Sequence, residues 1–258
     1  MSLVSIITPT YNNITTVKES LDSIVAQTHR PLEIITIDDC SADDSYAFAK
    51  AYALKNNSPE ITFINLKNNS NSGAGITRNK GIKAATGTYI AFLDADDLWK
   101  PHKLEMQINA MKKHPASLCY GAYDIFITAS NQPKLTHHAS KKLTFEKLLK
   151  ANYLGNLTGI YNAKVLGKFY MPALRKRQDW AMWLDVIQKA EFAIGIQEPI
   201  ASYRLSKGLS SNKLGLIKYN YAIYKTHLKY STLKSSWMLL RFFYEQFFVK
   251  SQMITKVA

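Results

Sequence analysis

The sequence predicts an α/β protein with a doubly wound sheet. Two observations carry that prediction: through residues 3–100, short apolar runs alternate with amphipathic stretches, and each run stops at small and polar or acidic side chains. A chain of 258 residues that is 47% hydrophobic can bury a full core, as one large domain or a domain with an appendage, and disorder is excluded.

The runs at 3–8, 32–38, 61–66 and 88–93 read as buried parallel strands, because they are continuously apolar rather than alternating. Residues 15–27, 43–57 and 75–85 read as the crossover helices between them; in the first, Val17, Leu21, Ile24 and Val25 recur at helical spacing. Pro101 begins a helix to about His114, and 118–128 reads as a further strand. Residues 129–142 are polar and carry Asn131-Gln132-Pro133 and His137-His138, which predicts a loop. Helical patterns resume at 144–151 and 178–191, a strand follows at 199–205, and helices continue beyond Lys213. The chain shows no internal repeat and no low-complexity tract.

Composition narrows the partners. A formal charge of +14 calls for an anion, whether nucleic acid, acidic lipid or a phosphorylated substrate, and charge alone does not choose among them. Cys40 and Cys119 stand apart with no Cys/His cluster, which argues against structural zinc or a disulfide framework and predicts two reduced, buried thiols. The start Met1-Ser2-Leu3-Val4-Ser5 has no basic n-region or cleavage site, so the expected location is the cytoplasm. No run reaches the roughly 18 apolar residues of a spanning helix, so any membrane contact is expected to be peripheral.

In a doubly wound sheet, ligands sit beyond the carboxyl ends of the strands. There the sequence places Thr8-Pro9-Thr10-Tyr11-Asn12, then Asp38-Asp39-Cys40-Ser41, then Phe92-Leu93-Asp94-Ala95-Asp96-Asp97. Asp94 and Asp96, two apart, face one side of an extended chain and suit shared capture of a hard cation that bridges two phosphates. The alternative is a turn or helix cap, a role open to Asp97, and Asp39 or Ser41 could likewise cap the following helix. Asn71-Ser72-Gly73-Ala74-Gly75-Ile76-Thr77-Arg78 resembles a dinucleotide fingerprint only superficially: the third glycine falls at Arg78, and the motif follows the third strand rather than the first. A glycine turn opening a helix that carries Arg78 suits an anion, or is simply a flexible turn beside a surface Arg.

Taken together, Val4 through Asn12, Ile37-Asp38-Asp39-Cys40-Ser41, Arg78-Asn79-Lys80-Gly81, Ala85-Thr86-Gly87-Thr88-Tyr89-Ile90 and Leu93-Asp94-Ala95-Asp96-Asp97 resemble the family-2 glycosyltransferases of GT-A fold, in the family's order. The resemblance implies inverting transfer from a nucleotide-sugar donor, usually a UDP-sugar, with a divalent manganese or magnesium ion. By position it implies that Thr8, Pro9, Tyr11, Asp38 and Asp39 line the nucleoside pocket, with Asp39 on the uracil. It further implies Arg78 on base or phosphate, Asp94 at the ribose or metal shell, Ala95 and Arg204 among the donor-binding residues, and Asp96 on the metal.

Inversion is a single displacement, so a base must take the acceptor hydroxyl's proton. Arg177-Gln178-Asp179-Trp180 resembles the family's Glu-Asp base motif with Gln in place of Glu, which makes Asp179 the candidate base; the alternative is an acid favoured by a helix N-terminus. The Gln-x-x-Arg-Trp motif of processive synthases is absent, so one sugar is expected per acceptor. Residues 203–213 resemble the segment that closes over the donor diphosphate, with Ser206 where many relatives carry His, so Arg204, Lys207 or Lys213 would supply the charge.

The C-terminal stretch interleaves Lys218, Lys225, Lys229, Lys234, Arg241 and Lys250 with Tyr219, Tyr221, Tyr224, Trp237, Phe242, Phe243, Tyr244, Phe247 and Phe248. That pattern suits an amphipathic segment in an anionic membrane interface, or a helical hairpin packed on the core. Aromatics with lysines also serve single-stranded nucleic acid, but no nucleic-acid module accompanies them, and none is expected as a partner. The expected organisation is a GT-A catalytic domain over 1–212, with a nucleotide-binding half at 1–100 and an acceptor half at 101–212, followed by a basic aromatic helical extension at 213–258. The expected acceptor is a lipid-linked saccharide or other surface glycan precursor. Competing readings are a nucleotidyltransferase, disfavoured by the lack of a glycine-rich lysine loop after the first strand, and a non-enzymatic membrane or nucleic-acid module.

Overall fold

The computed structural model describes residues 2–127, 133–205 and 214–257. Strands β1 (Val4–Thr10), β2 (Leu32–Asp38), β3 (Ile61–Lys67) and β4 (Tyr89–Phe92) lie in the order β3-β2-β1-β4, all parallel. Helices α1 (Val17–Val25), α2 (Ser45–Asn56) and α3 (Ala74–Ala84) connect them. Every residue of β2 and all but Pro9 of β1 are buried, as expected of strands covered on both faces. Alternate side chains feed two cores: Ile7, Ile35 and Ile37 join one, and Val4, Ile6 and Ile34 the other.

The second half extends the same sheet. It contributes β5 (Leu98–Trp99), α4 (Lys103–Lys113), β6 (Leu118–Ile127), β7 (Pro133–His137), β8 (Lys142–Thr144), α5 (Phe145–Lys150), β9 (Ile160–Asn162), α6 (Ala163–Leu166), α7 (Gln178–Ala190) and β10 (Phe192–Leu205). Beyond β4 the order continues β9-β6-β7-β11, where β11 (Ile254–Lys256) is the last strand, and β10 runs parallel to β6. The sheet is therefore mixed, with helices packed on it, as expected.

Two expectations need correction. The segment 129–142 is not all loop: 133–137 form β7 between β6 and β11, held by Thr136 donating to Asp124 at 2.9 Å and by His137 stacked on Tyr123. Its sequence is polar because it gains its order from cross-strand partners, not from a buried face. The strand expected at 199–205 begins at Phe192, and its register against β6 slips around Pro199, where the missing N–H interrupts the ladder.

The Ala85-Thr86-Gly87-Thr88 motif is an internal clamp. Glu33 on β2 accepts from the Ser5 hydroxyl, the Thr86 hydroxyl and the Thr86 N–H, while Gly87 N–H donates to Ser5 Oγ at 2.8 Å. A Cβ at Gly87 would lie 2.7 Å from the Ser5 nitrogen and 2.9 Å from the Leu3 carbonyl, so no side chain fits this approach of α3's end to β1.

The C-terminal helices share a core with α7. Helices α8 (Ile217–Ala222) and α9 (Thr232–Tyr244) are each followed by a π-helical turn, Ile223–His227 and Glu245–Val249. Trp180 packs against Tyr224 and Phe242, while Trp183 meets Phe92 and Tyr161 edge-on. The opposite side of α9 carries Leu233, Trp237, Leu240 and Tyr244 outward, three to four residues apart, and Phe247 and Phe248 of the following π-helical turn are exposed as well. One face of the tail thus packs on the core, while a second, apolar face is exposed. Among the described residues no helix is long and apolar enough to cross a membrane.

One lysine is fully buried in this fold. Lys103 lies over the Trp99 ring and donates to Gln107 Oε1 at 2.7 Å, and burial pushes its pKa down from 10.5 to about 7. The unfolded chain therefore binds more protons than the folded one between pH 7 and 10.5, and stability from this group rises with pH across that window. Lys103→Met is expected to remove a slope of up to about 1.4 kcal/mol per pH unit between pH 7 and 9. Urea unfolding at several pH values checks it; an unchanged slope would refute it.

Candidate active site

The carboxyl ends of β1, β2 and β4 open onto a cleft of about 410 Å³, lined by Pro9, Thr10, Tyr11, Asp39, Arg78, Asp94, Ala95 and Asp96 among others. Thr8 and Asp38 lie behind its wall rather than on it: both are buried, and Asp38 accepts the Ser41 N–H at 3.0 Å. The Thr8 hydroxyl has no hydrogen-bond partner among the described residues.

Asp39 does not cap α2, and neither does Ser41. Asp39 accepts from Asn68 Nδ2 at 2.8 Å and from the N–H groups of Ser72 and Gly73 at 2.9 and 2.8 Å. Burial opposes its ionisation, but these donors hold the carboxyl below its usual value. The effect is to fasten the glycine turn before α3 onto the end of β2. Gly73 adopts φ +83°, which its lack of a Cβ permits, and α3 then carries Arg78 into the cleft. Ser41 instead accepts the Asn12 N–H at 3.0 Å, tying the β2 loop to the β1 loop.

Arg78 grips Asp94. Its Nη2 lies 2.5 and 2.6 Å from the two carboxylate oxygens, and Nε donates at 3.2 Å. Although burial works against the charge, Asp94, then Asp179 and Asp96, raise the guanidinium's pKa. Asp179 thus joins the Asp94–Asp96 cluster from a distant stretch of chain. It stands one residue before Trp180, whose Nε1 donates to the Leu148 carbonyl at 2.9 Å, and Asn152 Nδ2 approaches its carboxylate at 3.4 Å. Beside Asp179, Asn152 Oδ1 and Gln178 Oε1 are buried acceptors without a donor among the described residues, a setting that suits an incoming hydroxyl.

Asp96 differs from its neighbours. It forms no ion pair among the described residues, and burial followed by the Asp94 charge raises its pKa. Asp97 is fully buried, its pKa raised well above the usual value by burial and by Asp96 and Asp94, and it accepts the Arg204 N–H at 2.9 Å. Asp97 therefore tethers the acidic turn to β10 and does not cap α4, which begins at Lys103. Among the described residues no group of three His, Cys, Asp or Glu side chains is gathered to hold a metal unaided. The donor set fits a hard cation held by one carboxylate, Asp96, with phosphate oxygens completing the shell.

Arg204 supports this turn from behind. It donates from Nε to the Asp96 carbonyl at 2.8 Å and pairs with Glu19 at 2.5 Å while lying over Phe126. Ser206, Lys207 and Lys213 lie outside the described residues. Tyr203 was not singled out by the sequence, yet burial and the nearby Asp97, Asp96, Asp94 and Asp179 charges push its hydroxyl up to about 12. Asn68 and Asn152, which hold Asp39 and Asp179, were equally silent, because a lone asparagine carries no pattern.

Residues 5–171 match the model of Glycosyl transferase family 2. The chain is 32% identical over 241 residues to the putative teichuronic acid biosynthesis glycosyltransferase TuaG of Bacillus subtilis, covering 93% of this chain and 94% of that one. It is 37% identical over 218 residues to the Escherichia coli UDP-Glc:alpha-D-GlcNAc-diphosphoundecaprenol beta-1,3-glucosyltransferase WfgD, covering 84% and 83% of the two chains. In fold it resembles S. aureus TarS 1–349 in complex with UDP-GlcNAc, with a TM-score of 0.71 at 19% identity over 95% of this chain and 73% of that one.

Proposed function

Because the chain belongs to glycosyl transferase family 2, we propose that this glycosyltransferase moves a single hexose or N-acetylhexosamine, with inversion, from a UDP-sugar to a lipid-linked saccharide or other surface glycan precursor. The observation that carries the reading is the convergence of Asp94, Asp96 and Asp179 on Arg78 beside a cleft edged by Asp39. The donor class is supported by the names of WfgD and of the TarS complex, and the acceptor class by that of WfgD.

In this reading the nucleoside sits against Pro9, Tyr11 and Asp39, and the diphosphate points toward Asp96. Asp94 is engaged by Arg78, so Asp96 is the residue that would hold a divalent manganese or magnesium ion. Bound there, such an ion supplies Lewis-acid neutralisation of the charge on the departing diphosphate. Asp179 accepts the proton of the acceptor hydroxyl, and the Asn152 amide, which approaches its carboxylate, holds the base in place. Arg78 keeps Asp94 folded against α3, so the acidic turn presents Asp96 in one position. Residues 1–100 serve the nucleotide, 101–212 the acceptor, and 213–258 form the extension, whose outward apolar stripe and basic residues we assign to peripheral contact with an anionic membrane.

A panel of UDP-sugars with manganese tests the reading through thermal stability. At about 100 Kd the correct donor stabilises by about 2.7 kcal/mol, which raises Tm by roughly 5–10 °C for a chain of this size. No shift with any nucleotide sugar would overturn it.

A further inference from the structure

A second cavity, of about 300 Å³, lies between the start of α7 and the C-terminal helices. Two cations flank it. Arg177, in the left-handed conformation at φ +66°, stands at the start of α7 and uses Nε on Asn220 Oδ1 at 3.0 Å; Lys250 donates to the Asn152 carbonyl. Neither makes an ion pair among the described residues. Arg177 stands close enough to act on Lys250: burial and Arg177 depress the Lys250 pKa to about 8, and burial lowers that of Arg177, while the Asp179 carboxylate opposes both shifts. Asp179 acts on both, so two partly buried cations face one carboxylate, and a bound anion would balance the excess positive charge. Apart from the polar Asn220 and Gln246, the rest of the wall is apolar, formed by Leu216, Ile217, Phe242, Phe243 and Phe247.

We infer that this cavity binds the diphosphate head and the first part of the apolar chain of a lipid-linked acceptor, with Arg177 and Lys250 on the phosphates and the phenylalanines on the chain. The inference rests on the acceptor class proposed above and adds where that acceptor is held. Charge complementarity selects the occupant: a neutral lipid leaves the excess positive charge of Arg177 and Lys250 unbalanced, and free pyrophosphate leaves the aromatic wall unused. Asn152 ties the cavity to the chemistry, since its carbonyl accepts from Lys250 and its amide approaches Asp179. A saccharide on a diphosphate seated here extends toward the base. Phe247 lies at the cavity edge and in the outward stripe of the tail, so the chain leaves toward the surface assigned to the membrane.

The probe is farnesyl diphosphate, with pyrophosphate and farnesol as the separated head and chain, measured by calorimetry with and without saturating UDP and manganese. Farnesyl diphosphate is expected to bind at least about 10-fold tighter than either part and alongside UDP, and Lys250→Gln and Arg177→Gln to weaken it by about 10-fold or more. The thermal response to UDP is the folding control. Should a cation variant fail to fold, Phe247→Ser, at an exposed position, decides: it is expected to weaken farnesyl diphosphate and leave pyrophosphate unchanged. Equal binding of pyrophosphate, displacement by UDP, or insensitivity to all three substitutions would overturn the inference. Farnesyl diphosphate binding in a protein deaf to every nucleotide sugar would instead sink only the donor assignment.

Discussion

Asp179→Asn is expected to lower kcat about 100-fold or more while leaving the donor KM within a factor of a few. The substitution keeps the shape of the side chain beside Asn152 and removes the oxygen that takes the acceptor's proton. Donor binding survives because the cleft is lined by residues at the ends of β1, β2 and β4 and on α3, whereas Asp179 is carried by α7 and does not line it. Steady-state kinetics with saturating acceptor, together with donor hydrolysis in its absence, separates the two effects. Turnover within twofold of the wild type would move the base to another residue.

Asp96→Ala is expected to abolish the manganese-dependent part of the UDP thermal shift and to cost at least about 100-fold in turnover. The fold should tolerate the change, since Asp96 forms no ion pair among the described residues and its backbone carbonyl, which Arg204 holds, is retained. Adding a chelator to the wild type should reproduce the loss, and adding it to Asp96→Ala should change nothing further. A variant that still shifts fully with UDP and manganese would place the cation elsewhere.

Much of this organisation is legible in the sequence because it is local. The strands covered on both faces advertise themselves as unbroken apolar runs, and the polar residues that end them mark the cleft, so Tyr11, Asp39, Asp94 and Asp96 could be found before any coordinates. What one residue does to another across the sheet was not legible. Nothing in Arg78-Asn79-Lys80-Gly81 says that the guanidinium will fold onto Asp94 rather than wait for a phosphate, nor that Asp39 will spend its oxygens on Asn68 and the glycine turn. β7 escaped notice for a related reason: Pro-Lys-Leu-Thr-His becomes a strand only when β6 and β11 lie on either side. The cations of the second cavity come from α7's start and the chain's last helical turn, a pairing no sequence window contains.

The wedge of Trp180 between Tyr224 and Phe242 has a consequence for anyone recombining this enzyme with a relative. A chimaera that exchanges the tail alone would pull one wall from the helix bearing Asp179, and the loosened carboxylate would misreport as altered substrate preference. The smallest cassette that can change hands is therefore the whole stretch from residue 178 onward, moved with the tail it grew up against.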